Sequence, residues 1–222
     1  MPNPSTVVIA ISALVAAFLA VYFGWRWASR RTLLPCPSSM AWSLQGDFVD
    51  WWAATARTLD RIGLQPGNRV LEVGPGPGRL LIPAAARVLP GGQVVGLDVQ
   101  PGMVKRLEQR GASISNLTVL LANAEQMPVE TASYDVVYLA MVLGEIPNRP
   151  AAIGECFRVL KPGGRLSVTE MLADPHFQTQ NTVARLAGDA GFTPHSVHGR
   201  WYSYTANFVK SAGRSQAGTD RS

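Results

Sequence analysis

Charge is what this sequence has least of. Only 16% of its 222 residues are charged while 47% are apolar, and the mean hydropathy is +0.09. Average domains carry about 25% charged residues, so the shortfall argues for a membrane segment. Lys and Arg outnumber Asp and Glu, 20 to 15, yet no run of five basic residues occurs, nor a basic stripe interleaved with aromatics. A nucleic-acid partner is therefore not expected, and basic flanks beside anionic lipid account for the excess. Cysteine is also scarce: Cys36 and Cys156 have no CxxC partner and make no disulfide framework. Cys156 falls in an amphipathic pattern as a small buried apolar residue, whereas Cys36 follows the apolar N-terminal run and is either acylated or idle. There is no HxH or His/Cys/Asp cluster at ligand spacing, so no metal is expected. GxSxG, a Walker loop and internal repeats are missing too.

What is present begins with residues 7–27, where no charge occurs before Arg26. About twenty residues at ~1.5 Å rise span a ~30 Å hydrocarbon core, so this run predicts one transmembrane helix. Its N-terminal flank has no Lys or Arg, unlike a secretory signal. Arg26, Arg30 and Arg31 all follow it, which places the N-terminus outside and the rest of the chain, a single-pass protein's main domain, in the cytoplasm. Trp25 and Trp27 fit the interface. The organisation expected is an anchor with basic flank over 1–31, a Pro- and Ser-containing linker over 32–46, a domain over 47–210 and a disordered tail over 211–222.

Residues 47–62 show Phe48, Trp51, Trp52, Thr55, Leu59 and Ile62 at helical spacing, with Asp47 as N-cap. This helix either lies on the bilayer and guides an apolar substrate or covers a sheet edge. From Arg69 strands and helices alternate. Strands are predicted at 69–73, 93–98, 117–122, 134–139, 165–169, 195–197 and 202–209, and helices at 79–89, 101–110, 149–160 and 180–190. Lys161-Pro-Gly-Gly164 reads as a structural stop. Such alternation means an α/β domain, a doubly wound, mostly parallel sheet with helices on both faces. Residues 202–209 alternate strongly enough to make the last strand antiparallel.

The apolar run at 69–73 opens into Glu72-Val-Gly-Pro-Gly-Pro-Gly78. A dinucleotide loop needs GxGxxG, and the required position holds Arg79 or Leu81 instead. Pro75 and Pro77 also delete two backbone donors, so the loop is poorly suited to cradle phosphate. Four further motifs follow in order: Gly96-Leu-Asp98 with Pro101 and Met103; Ala122-Asn-Ala-Glu125; Ser133-Tyr-Asp-Val-Val137; and Arg158-Val-Leu-Lys-Pro-Gly-Gly-Arg165.

Together these five motifs resemble the class I S-adenosylmethionine-dependent methyltransferases, most nearly the ubiquinone and menaquinone C-methyltransferase group, and the resemblance covers about residues 45–209. The resemblance implies a Rossmann-like seven-stranded sheet and S-adenosylmethionine as cofactor. It implies that Glu72, Gly74, Gly76 and Gly78 surround the methionine moiety and that Asp98 takes the ribose hydroxyls, as a carboxylate can. Gln100 and Met103 would pack near the adenine, whose edge Asn123, Ala124 and Glu125 would read. Asn123 departs from the family's frequent Asp, and its amide oxygen still accepts from an amino group. Leu139, Ala140 and Met141 would lie beside the transferring methyl. Structural alternatives stand beside several of these: Asp98 as a helix cap, Met103 as core, 123–125 as a surface loop.

Methyl transfer from a sulfonium is an in-line displacement helped chiefly by positioning. A base is needed only where the nucleophile must lose a proton. Glu145, after the fourth strand, and Glu170, Asp174 and His176, after the fifth, sit where open α/β sheets place their sites. Each is equally readable as a surface carboxylate or a loop brace, and His195 and His198 read as strand or edge residues. Low charge, the anchor and the Trp-rich entrance point to a lipophilic small-molecule or lipid acceptor at the membrane. A non-catalytic, membrane-tethered S-adenosylmethionine-binding or assembly protein is the alternative.

Overall fold

The computed structural model describes residues 55–211 and isolated helical positions between 5 and 24. Nearly half of the 7–27 run, the linker, Asp47 with the first turns of the amphipathic helix, Cys36 and all but the first residue of the tail lie outside the described residues. Among the described residues no helix is long and apolar enough to cross a membrane.

The elements alternate as the pattern predicts: α1 (Thr55–Ile62), β1 (Arg69–Val73), α2 (Leu81–Arg87), β2 (Gln93–Asp98), α3 (Pro101–Gly111), β3 (Leu117–Leu121) and β4 (Tyr134–Ala140). Then come a 3₁₀ turn (Leu143–Glu145), α4 (Arg149–Val159), β5 (Leu160–Met171), α5 (Gln180–Asp189), β6 (Phe192–Arg200) and β7 (Ser203–Lys210). The sheet order is β3-β2-β1-β4-β5-β7-β6. β1 pairs in parallel with β2 and β4, and β7 lies antiparallel between β5 and β6.

Strands buried on both faces explain the near-continuous apolar runs. Val70, Val94, Val136 and Tyr138 face one way and pack under Leu59 and Ile62 of α1, Leu81 of α2 and Leu107 of α3. Leu71, Val95, Val137 and Leu166 face the other way, under Ile153 and Cys156 of α4 and Val183 and Leu186 of α5. Cys156 is fully buried, and burial pushes its thiol up to about 12, so it is an inert core residue. α4 opens on Asn148, whose Oδ1 accepts from the Ala151 amide at 3.2 Å, and α5 on Thr179, which accepts from Thr182 at 3.3 Å.

Three local expectations need correction. The helix at 79–89 is shorter, because Gly78 (φ +88°) turns the chain and the helix starts only at Leu81. Lys161-Pro-Gly-Gly164 does not stop the sheet. β5 starts at Leu160 opposite Tyr134, and the next paired residues are Arg165 and Val136, so the segment bulges while Lys161 Nζ bonds Asp135 at 2.6 Å. β6 is nine residues rather than three, an edge strand whose exposed pattern carries no burial signal. His195 and His198 are exposed residues of that edge.

Candidate active site

β1, β2 and β3 run successively to one side while β4 lies on the other side of β1, so the chain reverses direction between β1 and β4. At the carboxyl ends of these strands a crevice must open. A cavity of about 490 Å³ is found there, lined by the β1 loop, the end of β2, the loop after β3, the segment after β4 and Asp174. Its size falls in the ~300–1,000 Å³ range of small-molecule sites.

The glycine loop spends its own donors. The Gly74 amide bonds the Leu97 carbonyl at 2.8 Å, the Gly78 amide bonds the Pro75 carbonyl at 2.9 Å, and the Gly76 amide donates to Asp98 Oδ2 at 3.1 Å. The remaining two loop residues are prolines, so from 74 to 78 no backbone N–H is left for a phosphate. Gly74 (φ +68°) is also needed for space, since a Cβ there would lie 2.6 Å from Val142. Gly78 does not line the cavity; a Cβ there would run into Leu107, which makes it a packing glycine.

Asp98 ends β2, 6% exposed, and its other oxygen accepts from the Gln100 amide at 2.9 Å. Burial raises its pKa, and the backbone donors of Gln100 and Gly76 counter this. It does not cap α3, whose N-cap is Gln100. The carboxylate fastens the glycine loop to β2 and keeps acceptor capacity toward the cavity.

Glu72 lies on β1 in register with Tyr138 of β4, and the Tyr138 hydroxyl donates to it at 2.7 Å. The register partner on its other side is Gly96, where a Cβ would meet Leu81 and Pro75. Burial pushes Glu72 up to about 8, against the pull of Tyr138 and of Arg79. Burial and the adjacent Glu72 hold Tyr138 well above the ordinary phenol range. No sequence spacing announced Tyr138, because strand pairing alone brings it to Glu72.

Gln100, Met103, Asn123, Ala124, Glu125 and Ala140 also line the cavity. Asn123 makes a turn with the Glu125 amide at 2.9 Å, and Glu125 accepts from the Asn148 amide at 2.8 Å, so this loop is tied to the start of α4. Leu139 is 1% exposed and belongs to the core; alternation along β4 turns it away while Ala140, Met141 and Val142 line the site. Met141 holds φ at +57°, a strained conformation for a side chain of its size at the cavity wall.

Of the four candidate bases, Glu145 and Asp174 line the cavity; Glu170 and His176 do not. Glu170 is 1% exposed, accepts from the Gln178 amide at 3.0 Å and has no hydrogen-bond partner for Oε1. Burial, with Asp174 and Glu145 nearby, pushes it up to about 8. His176 is buried where a Cβ on Gly144 would strike its backbone, so the loop after β5 is locked against the 3₁₀ turn. The cavity wall thus presents the carboxyls of Asp98, Glu125, Glu145 and Asp174, with Glu72 held protonated by its burial, against the single cation Arg79, among the described residues. Such a wall favours a cationic ligand and disfavours an anionic one. Among the described residues no group of His, Cys, Asp or Glu is arranged to hold a metal ion.

Residues 71–168 match the family described as "Methyltransferase domain". A ubiquinone/menaquinone biosynthesis C-methyltransferase of Ectopseudomonas mendocina is 38% identical over 117 residues, covering 51% of this chain and 45% of that protein. The nocamycin O-methyltransferase of Saccharothrix syringae is 36% identical over 121 residues, covering 54% and 43%. The chain therefore spans less than half the length of these curated relatives. Among solved structures, a SAM-dependent methyltransferase from Aquifex aeolicus superposes with TM-score 0.73 at 21% identity, covering 79% of this chain and all of that one. The [4+2]-cyclase SpnF superposes with TM-score 0.63 at 19% identity, covering 72% and 81%. These two likenesses speak for the fold alone.

Proposed function

We propose, from the premise that residues 71–168 are a methyltransferase domain with S-adenosylmethionine as its cofactor, that this chain methylates a lipophilic small molecule or lipid at a membrane. The observation that carries the reading is the acidic cavity behind a glycine loop with no spare amides. A sulfonium cofactor with an ammonium group suits that wall, and a pyrophosphate cofactor does not.

In this reading Glu72, Gly74 and Gly76 surround the methionine part, and Glu72 is ionised by the cation it receives. Asp98 accepts from the ribose hydroxyls while holding the loop closed. Gln100, Met103 and Asn123 to Glu125 hold the adenine. When bound, the cofactor supplies a methyl group activated by positive sulfur. The chain's own work is to align the acceptor through Ala140, Met141 and Val142, to exclude water with Ile146 and Pro147, and to take a proton at Glu145 or Asp174 where the acceptor has one to lose. Glu170 and His176 brace the loop that carries Asp174.

The relatives' names, a C-methyltransferase of quinone biosynthesis and an O-methyltransferase of nocamycin, support a small-molecule acceptor and leave its atom open between carbon and oxygen. The uncharged run at 7–25 and the arginines after it support a single-pass anchor, N-terminus outside and catalytic domain cytoplasmic. The second reading, a tethered binding or assembly protein without methyl transfer, rests on the fold not fixing the reaction, since a protein named as a [4+2]-cyclase shares it.

The test is to incubate the full chain with methyl-labelled S-adenosylmethionine and a membrane lipid extract. Label in an organic-soluble product is expected. Label confined to water-soluble acceptors overturns the lipophilic assignment, and cofactor binding with no labelled product favours the second reading.

A further inference from the structure

The large apolar side chains left exposed in the catalytic domain are unevenly placed. Leu89 and Val197 stand apart, whereas Val99, Leu121, Leu172, Trp201 and Tyr202 all lie at or just beyond the end of the sheet where the cavity opens. Val99 follows β2, Leu121 ends β3 and Leu172 follows β5. Trp201 and Tyr202 form the β6–β7 hairpin tip, which reaches the same end because Ser203 pairs with Met171.

This tip is built, not frayed. Arg200 pairs with Ser203, and the Leu172 amide donates to the Tyr202 carbonyl at 2.7 Å. The two rings meet edge to face with centroids 5.5 Å apart, yet Trp201 is 68% and Tyr202 44% exposed. Tyr204, next along β7, is fully buried and its hydroxyl donates to the Gln178 carbonyl at 2.7 Å, which fastens the hairpin to the loop after β5. From Phe192 to Lys210 there is no Asp or Glu, while Arg200 and His198 are exposed. An amphipathic ring pair on a carboxylate-free, basic hairpin is the chemistry of a bilayer interface.

We propose that the hairpin tip, Trp201 and Tyr202 with Leu172 beside them, inserts into the headgroup and acyl boundary of an anionic bilayer, with Arg200 at the lipid phosphates. The occupant is a lipid surface because the edge is apolar and basic together, and because the same chain carries the uncharged run at 7–25. That run does not fix the orientation by itself: the 27 residues between Trp27 and Thr55 reach up to ~90 Å when extended. The tip supplies the missing constraint and turns the cavity mouth toward the membrane. This orientation stands whether or not the domain transfers methyl groups.

The experiment uses the full chain reconstituted in vesicles of phosphatidylcholine and phosphatidylglycerol. The chain has six tryptophans, so the emission of wild type minus Trp201→Phe isolates residue 201. The difference spectrum is expected to shift to the blue on reconstitution and to lose intensity when the acyl chains are brominated. A solvent-like, unquenched difference spectrum overturns the proposal. So does a blue-shifted spectrum that brominated lipid leaves unquenched, since it means that protein, such as a second copy of this chain, covers the tip.

Discussion

Replacing Glu170 by Gln removes a buried group whose ionisation the fold resists. In the folded chain its carboxyl is pushed up to about 8, whereas the ordinary value of 4.5 applies once the chain unfolds. Below pH 4.5 both states are protonated and the residue costs nothing. As pH rises from 4.5 to 8, the unfolded state releases the proton and the folded state keeps it, so wild-type stability falls with pH through this window. At ~1.36 kcal/mol per unit the gap amounts to about 3–5 kcal/mol at pH 9. Gln retains an oxygen for the Gln178 amide and does not titrate. Urea unfolding of both proteins from pH 5 to pH 9 is therefore expected to show near-equal stability at the acid end. At the alkaline end the variant's midpoint should lie higher by about 2 M, for a slope of ~2 kcal/mol/M. Glu72, also pushed up to about 8, titrates in both proteins and cancels in the difference. A variant whose advantage does not change with pH refutes the reasoning, because Glu170 would then not be held protonated.

Asp98→Ala removes the anchor of Gly76 and the carboxylate facing the cavity, and is expected to weaken S-adenosylmethionine binding about a hundredfold by calorimetry. Gly78→Ala places a Cβ against Leu107 at a positive φ and should lower the thermal midpoint by about 5–10 °C. Pro75→Ala and Pro77→Ala restore donors that no neighbour needs, so each should change cofactor affinity by less than about threefold; complete loss of binding would mean that loop rigidity itself holds the ligand.

The strands of the inner sheet are legible because they are apolar runs bounded by turn residues, and β1 and β2 end where the pattern says. β6 is not legible, since beyond the buried Phe192 it is exposed almost throughout and has no alternation to read. The bulge at Lys161 to Gly164 looks like a stop because Pro-Gly-Gly signals a turn whether or not the flanking residues stay in the sheet. In the site, Glu72, Asp98 and the β1 loop could be found through the resemblance that their motifs carry. Tyr138 could not, because its meeting with Glu72 depends on strand register. Glu145 and Asp174 could not be told from Glu170 and His176, because position at or beyond a strand's end does not say whether a side chain turns into the cavity or into the core, and Glu170 proves to be the penultimate residue of β5. Gly78 shows the same limit: spacing marks a glycine and not whether it makes room for a ligand or for Leu107.

The most direct test of the cavity assignment is paired calorimetric titration of the full chain with S-adenosylmethionine and with NADH. A loop without free amides and a wall rich in carboxylates predict saturable one-site binding of the first, sensitive to Asp98→Ala, and none of the second. Binding of NADH without binding of S-adenosylmethionine would contradict the account.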